Sequence, residues 1–191
     1  MPQANAAGIT GAMQEHLVFE LGNCFFGAVL PLYVIFLVIT RTKDQGVKVY
    51  RKMLITNAAI DLFYTLSTLM SFPTIVFSST RLIPVMTNPL MPREASWFFF
   101  MIQTFFIYLS VMILPIQFIY RYRVASSKAH TISTIVVPLA FAAVYNAAHT
   151  LLLLYTFQSP NEEYDRILSD MGVESGGKYV VGDVVSIAAS I

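Results

Sequence analysis

The chain has 191 residues, of which 56% are apolar and 12% charged, with a net charge of +1 and a mean hydropathy of +0.64. Soluble domains carry roughly 45–50% apolar and about 25% charged residues, so a membrane protein is expected if the apolar residues fall in long runs. The charge balance leaves no surplus for nucleic acid, the single cysteine, Cys24, excludes an intrachain disulfide and a Cys-rich zinc site, and the high aromatic content is the opposite of the disordered signature.

A membrane-crossing helix needs about 20 mostly apolar residues. In chain order, residues 1–16 hold no Lys or Arg and no short apolar core. They do not read as a cleavable signal peptide. Four apolar runs follow, at about 17–39, 53–78, 96–119 and 132–157, none of which contains Lys or Arg. Polar residues enter them only singly or in thin stripes. A soluble bundle would need a broad polar face on each helix, and a β-barrel would alternate at period two. Pro31, Pro73, Pro115 and Pro138 lie inside the runs, which membrane helices tolerate. The expected fold is therefore an all-α transmembrane helix bundle with four spans. After it, 158–191 reads as an extracellular loop with the possible start of a fifth span in 179–191, an apolar stretch interrupted by Asp183.

Lys and Arg concentrate in cytoplasmic loops. The first and third loops hold eight of the twelve, among them Arg41, Lys48, Arg51, Arg121 and Arg123. That pattern puts the N-terminus outside.

Ionisable residues inside a membrane mark function by default. Asp61 is the acid deep in a span, and Asn57, one helical turn before it, shares its face. Thr65 and Thr68 extend this stripe, which is expected to point into the bundle, either as interhelical hydrogen bonding or as a conformational switch. In the third run Gln103, Ser110, Gln117 and Arg121 fall on one helical face. Gln103 is a candidate ligand-facing residue, as are Asn146 and His149 in the fourth run, although interhelical hydrogen bonding accounts for each of them equally well. Trp97 and Phe98–Phe100 read as an interfacial aromatic belt, and Glu162 and Glu163 as solvated loop residues. Catalytic motifs such as HExxH or GxSxG are not found. No His or Cys pair stands at metal-ligand spacing. No catalytic residue, metal or cofactor is expected.

The segments YRKMLITNAAIDLFYTL (Tyr50–Leu66) and LPIQFIYRYRV (Leu114–Val124) resemble, at this spacing, the start of helix two and the end of helix three in the nematode serpentine chemoreceptors, closest to their Str and Srd classes. The resemblance covers roughly residues 17–157, the first part of a seven-helix G-protein-coupled receptor. It implies that Asn57 and Asp61 help couple ligand binding to helix movement, and that Tyr120, Arg121 and Tyr122 form the G-protein-facing end of helix three, with Tyr120 where other receptors carry an acid. The implied partners are membrane lipid, a small-molecule ligand and a heterotrimeric G protein, at the plasma, in particular ciliary, membrane. Because the sequence ends at Ile191, the later helices are expected to be missing. Two other readings stay open: a self-contained four-helix accessory or channel-associated protein, and an intramembrane enzyme or proton-linked transporter in which Asp61 and His149 line one cavity.

Overall fold

The structure, a computed structural model, describes residues 3–41, 45–78, 81–126, 133–171, 173 and 177–183. Four long helices dominate it: α1 (Gln3–Arg41), α2 (Gln45–Ser71), α3 (Arg93–Ala125) and α4 (Ser133–Thr156). Each contains a stretch long and apolar enough to cross a membrane, namely Glu15–Arg41, Tyr50–Ser71, Arg93–Arg123 and Ile135–Thr156. The expected bundle is therefore present, and the protein is an integral membrane protein. Pro31, Pro115 and Pro138 sit within α1, α3 and α4.

The second expected span needs correction, because its helix stops at Ser71 and not at residue 78. Proline disfavours a helical residue before it and supplies no N–H. Phe72, ahead of Pro73, turns to φ 42°. It closes α2 as a left-handed cap, its N–H donating to Thr68 O at 2.8 Å. The β-branched and aromatic run that follows then pairs as a strand, β1 (Pro73–Ser78), with β2 (Arg81–Met86).

Beyond α4 come β3 (Phe157–Gln158), a short helix α5 (Glu162–Asp170) and β4 (Val181–Asp183). The strands form one sheet in the order β1-β2-β4-β3, antiparallel throughout. Tyr179–Asp183, expected as the possible opening of a fifth span, is instead extended. Tyr179 bridges to Val85 and β4 pairs with β2 and β3. Residues 184–191 lie outside the described residues.

Glu162 and Glu163 open α5 rather than a plain loop. Asn161 caps this helix, its side chain accepting from Tyr164 N at 3.0 Å. Acids in the first turn suit the helix dipole. Spaced by one turn, Tyr164 and Leu168 bury themselves against Ile83, Val85, Tyr179 and Val181. The sheet and α5 thus carry their own apolar core, built from two loops far apart in sequence. Because β1 and β2 join α2 to α3 while β3 leaves α4, this unit sits where α2 ends, α3 begins and α4 ends.

The helices hold two further cores. Ile60, Leu109, Ile113, Ile116 and Ala142 join α2, α3 and α4 at mid-length. Met53, Tyr120 and Ile135 join the same helices near the end away from the sheet. Large apolar side chains elsewhere on the helices, such as Phe36, Phe118, Phe141 and Val144, face outward, as a lipid-facing surface requires.

Candidate functional site

Away from the sheet, α2 and α3 leave a cavity of about 420 Å3 between them, lined by Tyr50, Met53, Leu54, Asn57, Gln117 and Arg121. A smaller one of about 150 Å3 lies deeper, and Asn57, Asp61, Ser110 and Gln117 are among its lining residues. Asn57 and Gln117 belong to both. The two cavities therefore make one polar track along the α2–α3 seam, from Asp61 to Arg121. The helical spacing of Asn57 and Asp61 on α2, and of Ser110, Gln117 and Arg121 on α3, puts these side chains on the facing sides.

The Tyr120–Arg121–Tyr122 triplet divides by burial. Tyr120 is buried with Met53 and Ile135, and its ring meets Tyr50 edge-on at 6.3 Å. Arg121 and Tyr122 are both exposed, and Arg121 lines the cavity. Asn57 Oδ1 is buried with no hydrogen-bond partner among the described residues, and an unpaired buried acceptor costs about 1–3 kcal/mol.

The stripe on α2 does not point wholly inward, as the sequence reading expected. Thr65 and Thr68 are buried, whereas Asp61 is exposed. The cause is the close seating of α1. Thr65 Oγ1 donates to Gly27 O at 3.1 Å and to Asp61 O at 2.8 Å, so α1 covers Thr65 and leaves Asp61 at the mouth of the groove. That groove, of about 500 Å3, also receives Glu20, Asn23, Cys24 and Tyr64.

At the sheet end a third cavity, of about 350 Å3, lies between the sheet and the adjoining ends of α3 and α4. Arg93, Glu94 and Trp97 enter from α3, Leu154 from α4, Phe157 from β3, and Lys178 from the segment before β4. Tyr179, also lining it, donates its hydroxyl to Asp165 Oδ1 at 2.9 Å and Asn161 O at 3.1 Å. Burial, followed by the Asp165 carboxylate that accepts its proton, pushes the Tyr179 phenol up to about 12.

The three residues expected to face a ligand lie within α3 and α4. Gln103 is buried in the α2–α3 interface, its Oε1 accepting from Ser71 Oγ at 3.2 Å. Asn146 is buried on α4, and His149 meets Tyr108 edge-on at 4.6 Å. None of the three lines the sheet-end cavity. His149 also lines neither cavity that Asp61 lines. Conversely, Arg93 and Lys178 carried no signal in the sequence, since the fold brings them together from segments far apart.

The family model described as "Serpentine type 7TM GPCR chemoreceptor Str" matches residues 16–179. The chain belongs to this family. In the Str chain the match runs from the start of the first membrane span to the residue that bridges to β2, so it includes both the helices and most of the sheet unit. Neither the curated proteins nor the solved structures gave a match. The Str description names seven spans, of which the described residues contain four.

Proposed function

We propose that this chemoreceptor senses a small molecule at its sheet end and signals by shifting α2 against α3 toward a state that engages a heterotrimeric G protein. The observation that supports this best is the shared lining of the two α2–α3 cavities by Asn57 and Gln117, which joins Asp61 to Arg121. Asn57 Oδ1 has no donor among the described residues. A helix shift that brings a donor to it gains free energy, and a ligand that favours the shifted arrangement moves the population toward it. Arg121 sits at the mouth of this track among the cationic residues of the third loop. The concentration of Lys and Arg in the first and third loops supports a cytoplasmic position for that end and an outside N-terminus, and the family resemblance supports the plasma or ciliary membrane.

The test is G-protein activation by a responding odorant in a receptor context carrying all seven spans. Asp61→Asn and Arg121→Ala should each lower activation at unchanged surface expression. Two variants that respond like the parent would remove this track from the signalling path.

A further inference from the structure

The sheet-end cavity carries its own chemistry. Its apolar wall is Met86, Trp97, Leu154, Phe157 and Val180, and its charged groups are Arg93, Lys178 and Glu94. A lysine ammonium has three donors. Lys178 Nζ gives two of them to Asn88 O at 3.0 Å and Met91 O at 2.7 Å. Those acceptors are backbone carbonyls, so the position of Lys178 is fixed while one N–H and the full positive charge remain. The Arg93 guanidinium, exposed at the pocket's edge, makes no ion pair or side-chain hydrogen bond with another described residue. The Tyr179 hydroxyl is occupied by Asp165 and Asn161. Two cations thus stand against one acid in a pocket with one apolar wall, where Gln158 and Ser159 add neutral polar groups and whose volume suits a small organic molecule.

We propose that this cavity binds a small monocarboxylic acid, its carboxylate held between Arg93 and Lys178 and its apolar body against Trp97, Leu154 and Phe157. A guanidinium offers paired donors that match the two carboxylate oxygens, and an ammonium already anchored by backbone carbonyls loses little freedom on adding a third bond. Glu94 makes the cavity unfavourable for a dicarboxylate, because a second anionic group has only a like charge left to meet. The inference rests on the small-molecule reading above and names the class of ligand.

Trp97 is the chain's one tryptophan, and it lines this cavity. Its emission therefore reports occupancy directly. The whole chain, in phosphatidylcholine vesicles, is titrated with hexanoate and phenylacetate, and with hexanol, phenylacetamide and phenethylamine for comparison. The expected result is a saturable change in Trp97 emission with the two carboxylates, weakened roughly tenfold or more in Arg93→Gln. Arg93→Lys should retain an intermediate affinity, and near-UV circular dichroism should match the parent for both variants. Equal binding of hexanol and hexanoate would overturn the carboxylate assignment while leaving small-molecule sensing in place. Preferential binding of phenethylamine would reverse the sign and overturn it too. No saturable change with either carboxylate in a normally folded chain would remove the site, whereas the signalling reading stands or falls separately on Asp61→Asn and Arg121→Ala.

Discussion

Gly27 of α1 and Thr65 of α2 are in contact that leaves no room for a side chain on the glycine. The Thr65 hydroxyl donates to Gly27 O at 3.1 Å, and a Cβ at Gly27 would lie 2.7 Å from Thr65 Oγ1 and 3.1 Å from Cγ2. Membrane helices lack a hydrophobic drive toward one another and pack closely where small residues let the backbones approach. This contact therefore fixes how α1 sits on α2, and with it the opening of the groove in which Asp61 is exposed.

Gly27→Ala should loosen the α1–α2 pair. Alanine gains up to about 1 kcal/mol in helix propensity. The β-branched Thr65 cannot readily turn aside, and forced overpacking costs about 1–3 kcal/mol. A net loss of roughly 1 kcal/mol is expected in detergent thermal unfolding. Gly22 provides the control, since a Cβ there meets nothing within 4 Å. Gly22→Ala should be neutral or stabilising. Equal behaviour of the two variants would mean that the close approach at Gly27 is not what seats α1.

The sheet unit should depend on its apolar core rather than on its ion pair. Arg81 Nη1 meets Glu163 Oε1 at 3.0 Å, with both side chains substantially exposed, and such pairs contribute only about 0–1 kcal/mol. Arg81 also lies 4.9 Å from the Tyr164 ring centre. Leu168, by contrast, is fully buried against Ile83, Val85 and Tyr179. Leu168→Ala should cost about 2–5 kcal/mol, and Glu163→Gln no more than about 1 kcal/mol. Hydrogen exchange at the Met86 and Val180 amides, bonded to Lys178 O and Pro84 O, reads both variants. Faster exchange in Glu163→Gln than in Leu168→Ala would contradict this ranking.

The four membrane spans were legible because long apolar runs free of Lys and Arg have few other meanings, and the Tyr50–Leu66 and Leu114–Val124 segments carried the family. The sheet was not legible, for a physical reason at each piece. Thr74, Ile75, Val76 and Phe77 are apolar enough to extend a span, and only the backbone restriction imposed by Pro73 turns them into a strand. Tyr179 and Val181 read as the start of another helix because Val85 and β2 lie three helices back in sequence and β3 lies beyond α5. The same holds for the sheet-end cavity. Its charges, Arg93 and Lys178, are each unremarkable until a long-range pairing brings them to one place. Polarity alone also left the roles of Gln103, Asn146 and His149 open, because a buried amide or imidazole reads the same whether it faces a ligand or a neighbouring helix.

Alkaline pH should open the sheet unit through Tyr179. Its phenol is pushed up to about 12 by burial, with Asp165 adding to the shift, from an ordinary value near 10. The folded form therefore holds this proton more tightly than the unfolded form does. The resulting stability is fully present below about pH 10 and is lost as pH rises through about 12. Tyr179→Phe should lose that alkaline dependence and be less stable at neutral pH, since Asp165 and Asn161 O lose their donor. Exchange rates at the Val180 amide between pH 7 and 9, with protease accessibility above pH 10, separate the two forms. A parent chain as alkali-resistant as Tyr179→Phe would show that the phenol is not the titrating group.

Gln103→Leu distinguishes a structural from a ligand-contacting role for the most buried amide of α3. Its Oε1 accepts from Ser71 Oγ in the α2–α3 interface, away from the cavity that holds Arg93 and Trp97. Interhelical hydrogen bonds in membranes average only about 0.6 kcal/mol, and leucine fills a similar volume. The expected outcome is a loss of no more than about 1 kcal/mol in detergent unfolding, together with an unchanged concentration dependence of the Trp97 emission response. Ser71→Ala should behave in the same way, and the double variant should cost less than the sum of the two, because either one alone breaks the bond. A shift in the ligand titration without a shift in stability would instead place Gln103 in the binding site and require the ligand to reach deeper between α2 and α3 than the sheet-end cavity.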